Sequence, residues 1–110
     1  MEADTIYLVR VWVHPDAVER MMGWLREKHL ADVVSQPGFR FGHCIRLEQE
    51  AEDGWVALAM IYGLESRDAL DRYFQNPIGA RFAEERKAFD GMLRMDRAWG
   101  RTELTHHTQP

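Results

Sequence analysis

The sequence predicts an α+β domain: a four-stranded antiparallel sheet with two helices laid on one face. Three observations point there. Short runs with β-branched and aromatic residues recur three times along the chain, and a fourth candidate strand covers about Leu93 to Leu104. Two longer segments with apolar residues at helical spacing sit after the first run and after the third. The boundaries between runs carry Pro37-Gly38, Asp53-Gly54 and Asn76-Pro77, which are turn and breaker signals. A chain of 110 residues is the size of one domain and can hold a core without covalent staples. The ordered part is expected to span about residues 5–104 of the single domain 1–110, with residues 105–110 as a polar, frayed tail.

Taken in order, Ile6 to Val13 reads as the first strand, apolar on both alternating sides. His14-Pro15-Asp16 ends it and opens a helix, because proline is favoured in a first helical turn. That helix is predicted to run to about Val34. Val18, Met22, Leu25, His29 and Val33 form its buried stripe, with Met21 at the edge. Trp24 falls well off the stripe and is expected to be exposed or used in association. Phe39 to Leu47 is the second strand, with Phe39, Phe41, His43, Ile45 and Leu47 on one face and Arg40, Gly42, Cys44 and Arg46 on the other. Glu52-Asp53-Gly54 makes the hairpin turn, and Trp55 to Tyr62 is the third strand. Ser66 caps the next helix, whose buried face is Ala69, Leu70, Tyr73 and Phe74. After Asn76-Pro77 a second piece runs from Gly79 to about Asp90 with the stripe Phe82, Arg86, Phe89. The last strand covers about Leu93 to Leu104.

The order β-α-β-β-α-β is the ferredoxin-like arrangement. Two helices cover one face of such a sheet, yet the strands look apolar on both. A second copy of the sheet related by a two-fold axis is the simplest cover, which makes a homodimer the expected assembly, a dimeric α+β barrel.

Composition narrows the function classes. The formal net charge of −4 and the scattered basic residues argue against nucleic acid as a partner. The single cysteine, Cys44, allows no internal disulfide and no cysteine-based metal site, and it reads as a small buried filler in a reducing compartment. Histidines 14, 29, 43, 106 and 107 show no metal-ligand spacing. No metal or cofactor is therefore expected. No apolar run is long enough for a membrane helix and the start is polar and acidic, so the expectation is a cytoplasmic protein without a membrane partner.

His29 is the most informative residue. A histidine within an apolar stripe must line a cavity or bond a backbone carbonyl, and its ordinary pKa suits acid–base work. Arg86, between Phe82 and Phe89, either binds a carboxylate or phenolate and stabilises an oxyanion, or packs its stem and pairs with Glu85 or Asp90. His43 approaches the same cavity if its face of the second strand meets the helices. Tyr7, Trp12, Trp55, Tyr62, Tyr73, Phe82, Phe89 and Trp99 supply flat apolar walls for an aromatic ligand, or simple packing. Arg10, Arg40 and Arg46 either meet an anion at the dimer interface or pair at the sheet rim with acids such as Glu48 and Glu50.

The run Trp24-Leu25-Arg26-Glu27-Lys28-His29, continuing to Pro37-Gly38-Phe39, resembles the dimeric α+β barrel superfamily, as does Tyr73-Phe74-Gln75-Asn76-Pro77 with Phe82. Within it the chain most resembles a bacterial family known only as a domain of unknown function. The resemblance covers about residues 5 to 104. It implies a cleft between sheet and helices. The chemistries it implies are those of cofactor-independent polyketide monooxygenases, polyketide cyclases, lactone isomerases, haem-degrading enzymes or stress-response proteins. Plant cyclases of this fold carry a catalytic histidine two residues beyond the proline; here that position is Gly79, while the motif tyrosine is present as Tyr73. Two readings follow. One is a small cofactor-independent enzyme acting on an aromatic or polyketide-like molecule, with His29 moving a proton, His43 assisting and Arg86 holding negative charge. The other is a non-catalytic dimeric module that binds a ligand or a protein.

Overall fold

The computed structural model describes residues 2–49, 51 and 53–108. Met1, Glu50 as an arginine partner, Glu52 of the turn, and Gln109 and Pro110 of the tail lie outside the described residues. The strands are β1 (Thr5–Val13), β2 (Phe39–Arg46), β3 (Val56–Leu64) and β4 (Leu93–Arg101). They form one antiparallel sheet in the order β2-β3-β1-β4, the ferredoxin-like topology. The last strand stops at Arg101, short of the expected Leu104, which is 95% exposed.

Alternation along the strands separates two faces. Tyr7, Val9, Val11 and Val13 of β1 pair with Tyr62, Met60, Leu58 and Val56 of β3 and point to the helices. The other set, Ile6, Leu8, Arg10 and Trp12, points away, opposite Gly63, Ile61, Ala59 and Ala57. Within one chain, described residues cover the first face only. β3 buries both its sides partly because its outward residues are small.

β2 departs from the expected alternation. Phe39 pairs with Leu64 and Phe41 with Gly63, so two steps on β2 match one on β3 and Arg40 is the extra residue of a bulge. One inserted residue exchanges the faces. Phe39 packs under the helices against Tyr62 and Tyr73, whereas Phe41, His43 and Ile45 look out from the opposite face. The expected shared face of Phe39, Phe41 and His43 is therefore split, and Gly42, Cys44 and Arg46 turn toward the helices.

The first helical segment starts with a 3-10 turn (Pro15–Ala17), where His14 Nδ1 accepts from the Asp16 N–H at 3.0 Å. It continues as α1 (Val18–Trp24), a π-helical turn (Leu25–His29) and α2 (Leu30–Val34). In the π turn the Leu30 N–H reaches back to the Leu25 carbonyl. The wider turn shifts the register of the buried stripe. Met21 is sealed at 1% exposure and Met22 lies at the margin, the reverse of a straight α-helical reading.

In α3 (Arg67–Gln75) the Ser66 hydroxyl accepts from the Ala69 N–H at 3.1 Å, the N-cap expected from sequence. Ala69 and Leu70 are fully buried, Tyr73 is partly buried, and Phe74 is 41% exposed, so Phe74 leaves the expected buried face. Asn76 Oδ1 then accepts from the Ile78 N–H at 2.9 Å and starts α4 (Ile78–Arg86), followed by a 3-10 turn (Lys87–Phe89). Phe82 and Phe89 are buried as expected.

Gly42 permits the close approach of α2 to the sheet. A Cβ there would lie 2.7 Å from Val34 Cγ2 and 3.0 Å from the Tyr62 ring. Gly42→Val should lower unfolding free energy by about 1–3 kcal/mol, read from a urea midpoint, because neither neighbour can retreat without opening the core.

Candidate functional site

A cavity of ≈ 40 Å³ lies between the helices and the sheet. By the same measure about 10–15 Å³ holds one water, so the space takes a few heavy atoms and no ring system. His29 of the π turn, Arg86 of α4, Tyr73 of α3, Tyr7 of β1 and Tyr62 of β3 all line it, together with Trp24 and Arg97.

The π turn explains how Trp24 reaches this site. Five residues of an α-helix would leave Trp24 and His29 on different sides. The wider turn brings them to one side, and the rings stack at 4.1 Å with 15° between planes. The Phe82 ring meets the imidazole at 4.7 Å, edge to face. Trp24 Nε1 donates to Glu85 Oε1 at 3.1 Å, so the indole is tied to α4. Trp24 is thus half-buried and tied to α4 rather than free on the surface, which corrects the exposed position expected from the helical wheel.

His29 is 8% exposed, and its Nδ1 is buried with no hydrogen-bond partner among the described residues. Burial, then the nearby Arg86 guanidinium, pulls its pKa down to about 4, against the weaker opposing pull of Glu85 and Asp32. The imidazole is therefore neutral at physiological pH. The tyrosines move the other way: Tyr73 is pushed up to about 12 by burial and then by Tyr7, and burial raises Tyr62 and Tyr7 as well. All three stay protonated and can donate.

Arg86 does not form the pair with Glu85 that its sequence neighbourhood allows. Glu85 is engaged by Trp24, by Lys28 at 3.4 Å and by Arg81 at 3.3 Å. Among the described residues neither Arg86 nor Arg97 has an ion-pair partner. Arg86 is lowered by its own burial and next by the charge of Arg97, which places two like charges on one cavity.

The remaining sequence candidates divide clearly. Phe82 and Phe89 back the His29–Trp24 stack from the core. Trp99, 46% exposed, lies beside Tyr7 and Phe74 at the edge of the site. His43 lies on the opposite side of the sheet, 5.1 Å from Phe41, because of the bulge at Arg40. Trp12 also lies on that far face under Arg10, and Trp55 packs with His14 and Arg94 away from the cavity. Arg10 is held by Asp96 through two hydrogen bonds of 3.1 and 2.7 Å. Cys44 sits half-buried on the helix side, and burial pushes its thiol up, away from nucleophilic use. Arg97 is the residue that sequence reasoning missed. Its signal was the alternation Leu93, Met95, Arg97, Trp99 on the helix-facing side of β4, where an arginine interrupts an otherwise apolar series.

Fold and site together define a ferredoxin-like α+β protein with a small cavity under its helices, lined by tyrosine, arginine and a neutral histidine. The chain belongs to the family described as Domain of unknown function (DUF4286), which matches residues 4–98. No curated protein matches it. Among solved structures it is similar to SnoaB, a cofactor-independent oxygenase from Streptomyces nogalater, in a mutant form. That pair is 20% identical over 94% of this chain and 97% of that one, with a TM-score of 0.60. Rv0793 from Mycobacterium tuberculosis is 18% identical over 96% and 100%, with a TM-score of 0.63. A dimeric ferredoxin-like protein from an uncultured marine organism is 9% identical over 96% and 100%, with a TM-score of 0.63. Identities this low carry the fold alone.

The His29 environment has a consequence for stability. The unfolded histidine titrates near 6.5 and the folded one near 4, so between these values the unfolded chain binds the extra proton. Stability is full above about pH 6.5 and declines as pH falls toward 4, by on the order of 3 kcal/mol from this residue. Urea midpoints from pH 7 to pH 4 should fall more steeply for the wild type than for His29→Gln; parallel curves would contradict the buried neutral imidazole.

Proposed function

We propose that this protein is a small cofactor-independent enzyme that removes a proton from an aromatic or polyketide-like carbon acid, with a monooxygenase, cyclase or isomerase outcome. The observation that carries the reading is the convergence on one cavity of a neutral imidazole and two guanidiniums without partners among the described residues, together with three protonated tyrosines. Of these, His29 Nδ1 is fully buried and the Arg86 guanidinium half-buried, both costly to leave without a partner, while Arg97 reaches the cavity from an exposed position on β4. His29 is the acceptor of the proton, which crosses the small cavity from a ring held at its mouth, since the cavity itself admits no ring. Its basicity is low while the site is positive, and it rises as negative charge develops on the substrate beside it. Arg86 and the tyrosine hydroxyls stabilise that charge as an enolate or phenolate. The similarity to SnoaB supports the reading at the level of fold. A proton removed from an anthrone-type carbon lets dioxygen oxidise the carbanion to the quinone with loss of water, so oxygen uptake reports the first step.

The active unit is a homodimer through the far face of the sheet. That face presents Ile6, Leu8, Trp12, Phe41, Ile45 and Ile61, the patch a second sheet would bury. The polar pair Arg10–Asp96 lies among them. The similarity to a dimeric ferredoxin-like protein supports this assembly.

Two measurements test these statements. With an anthrone as substrate in an oxygen electrode, His29→Ala should reduce the rate by about a hundredfold or more with an unchanged circular dichroism spectrum. A rate equal to wild type would remove His29 from the mechanism. In sedimentation equilibrium the wild type should run as a dimer and Leu8→Asp as a monomer; a monomeric wild type would refute the assembly.

A further inference from the structure

We infer that the ligand of the cavity is an aromatic carboxylic acid, its carboxylate clamped between Arg86 of α4 and Arg97 of β4 and its ring lying on the exposed Phe74–Trp99 pair. The inference rests on the reading of the cavity as a ligand site and names the substrate class for it.

Charge comes first. Arg86 and Arg97 both line the cavity, and neither has a carboxylate partner among the described residues. The nearest acid in sequence, Glu85, is taken up by Trp24, Lys28 and Arg81. Asp96, beside Arg97 in sequence, faces the other side of the sheet and is bound by Arg10. Two guanidiniums on one small cavity repel each other, Arg86 half-buried and Arg97 exposed, and an anion held between them relieves that repulsion. Arginine has donors and no acceptor, and the tyrosine hydroxyls can add donors, so the cavity is matched to a group that is all acceptor. A cation is excluded by sign, and a neutral head would leave the repulsion in place.

Size comes second. A space of ≈ 40 Å³ accepts a carboxylate and not the ring that carries it. The ring must stay outside, and the structure offers a place for it. Tyr7 lines the cavity and also touches Phe74 at 5.4 Å and Trp99 at 6.4 Å. Phe74 and Trp99 contact each other at 5.0 Å and are 41% and 46% exposed. Exposed aromatics beside an unpaired cationic cavity form an apolar shelf with a charged end. Trp99 lies two residues beyond Arg97 on the same face of β4, a step of about 7 Å along a strand, which is about the length of a ring with its carboxylate.

Isothermal titration calorimetry at neutral pH with 2-naphthoate and its neutral isostere 2-naphthamide tests the assignment. The wild type should bind the carboxylate about tenfold or more tighter than the amide. Arg97→Gln should abolish that preference by weakening the carboxylate alone, and because Arg97 is exposed the variant should melt like the wild type. Arg86→Gln provides the same readout from the other side of the clamp. Trp99→Ala should weaken both compounds by a similar factor. Equal affinity of acid and amide, or an Arg97→Gln protein that keeps its preference, overturns the anion assignment while leaving the cavity as a ligand site. If neither compound binds the wild type at millimolar concentration the assignment falls, and oxygen uptake with the anthrone then decides separately whether the enzyme reading survives.

Discussion

The π-helical turn at Leu25–His29 is the constraint on which the arrangement under the helices depends. A continuous α-helix would point Trp24 away from His29 and leave the imidazole facing the sheet alone. The wider turn stacks the two rings, and the stack becomes a surface onto which α4 docks: Phe82 meets the imidazole, Phe89 meets the indole, and Glu85 accepts the indole N–H. Because α4 is fixed at those three points, Arg86 is carried over the cavity rather than into solvent. A π turn is less favourable than the α-helix it interrupts and persists where tertiary contacts repay it, which is why such turns gather at functional positions.

The outside of the same interface shows a different use of charge. Asp32, Lys28, Arg81 and Glu85 form a connected network, with Lys28 and Arg81 each 2.7 Å from Asp32. Exposed pairs of this kind add little singly, but a network joining α2 to α4 fixes their relative position. The hydrogen bond from Lys28 and the charges of Lys28 and Arg81 hold the Asp32 carboxyl below its ordinary range. The charges at this junction of α2 and α4 are matched to one another, while among the described residues Arg86 and Arg97 at the cavity have no ion-pair partner. That contrast within one small protein is the strongest internal argument that the cleft is built for something other than stability.

Much of the fold was legible from residue patterns. The order of elements, the Ser66 cap, the break at Asn76-Pro77 and the stripe Phe82–Arg86–Phe89 follow from periodicity and turn chemistry, and the structure keeps them. Two of the parts that were not legible share one cause. A bulge at Arg40 and a π turn at Leu25–His29 each insert a residue into a regular repeat, and every inference that counts along the repeat fails beyond that point. His43 was lost to the far face by the first insertion, and Trp24 was gained by the second. Arg97 was missed for another reason: a single arginine on an edge strand looks like an ordinary solvated residue until the strand's partner shows that Val9, and behind it the cavity, lies on the same side.

The electrostatics of the cavity also bind the ligand and the proton together. His29 is held neutral partly by its burial and partly by Arg86. An anion that pairs with Arg86 cancels the second of these and adds a negative charge of its own, so the imidazole becomes a better base only when the site is filled. In the absence of ligand the neutral histidine avoids a third positive charge beside two arginines, which the small cavity could not tolerate. A base that is weak while the site stands open and stronger once an acid occupies it would act on bound substrate and leave other molecules alone. On the proposed reading the same two arginines would serve recognition and restrain the chemistry, Arg86 from its half-buried place under the helix layer and Arg97 from an exposed place on β4.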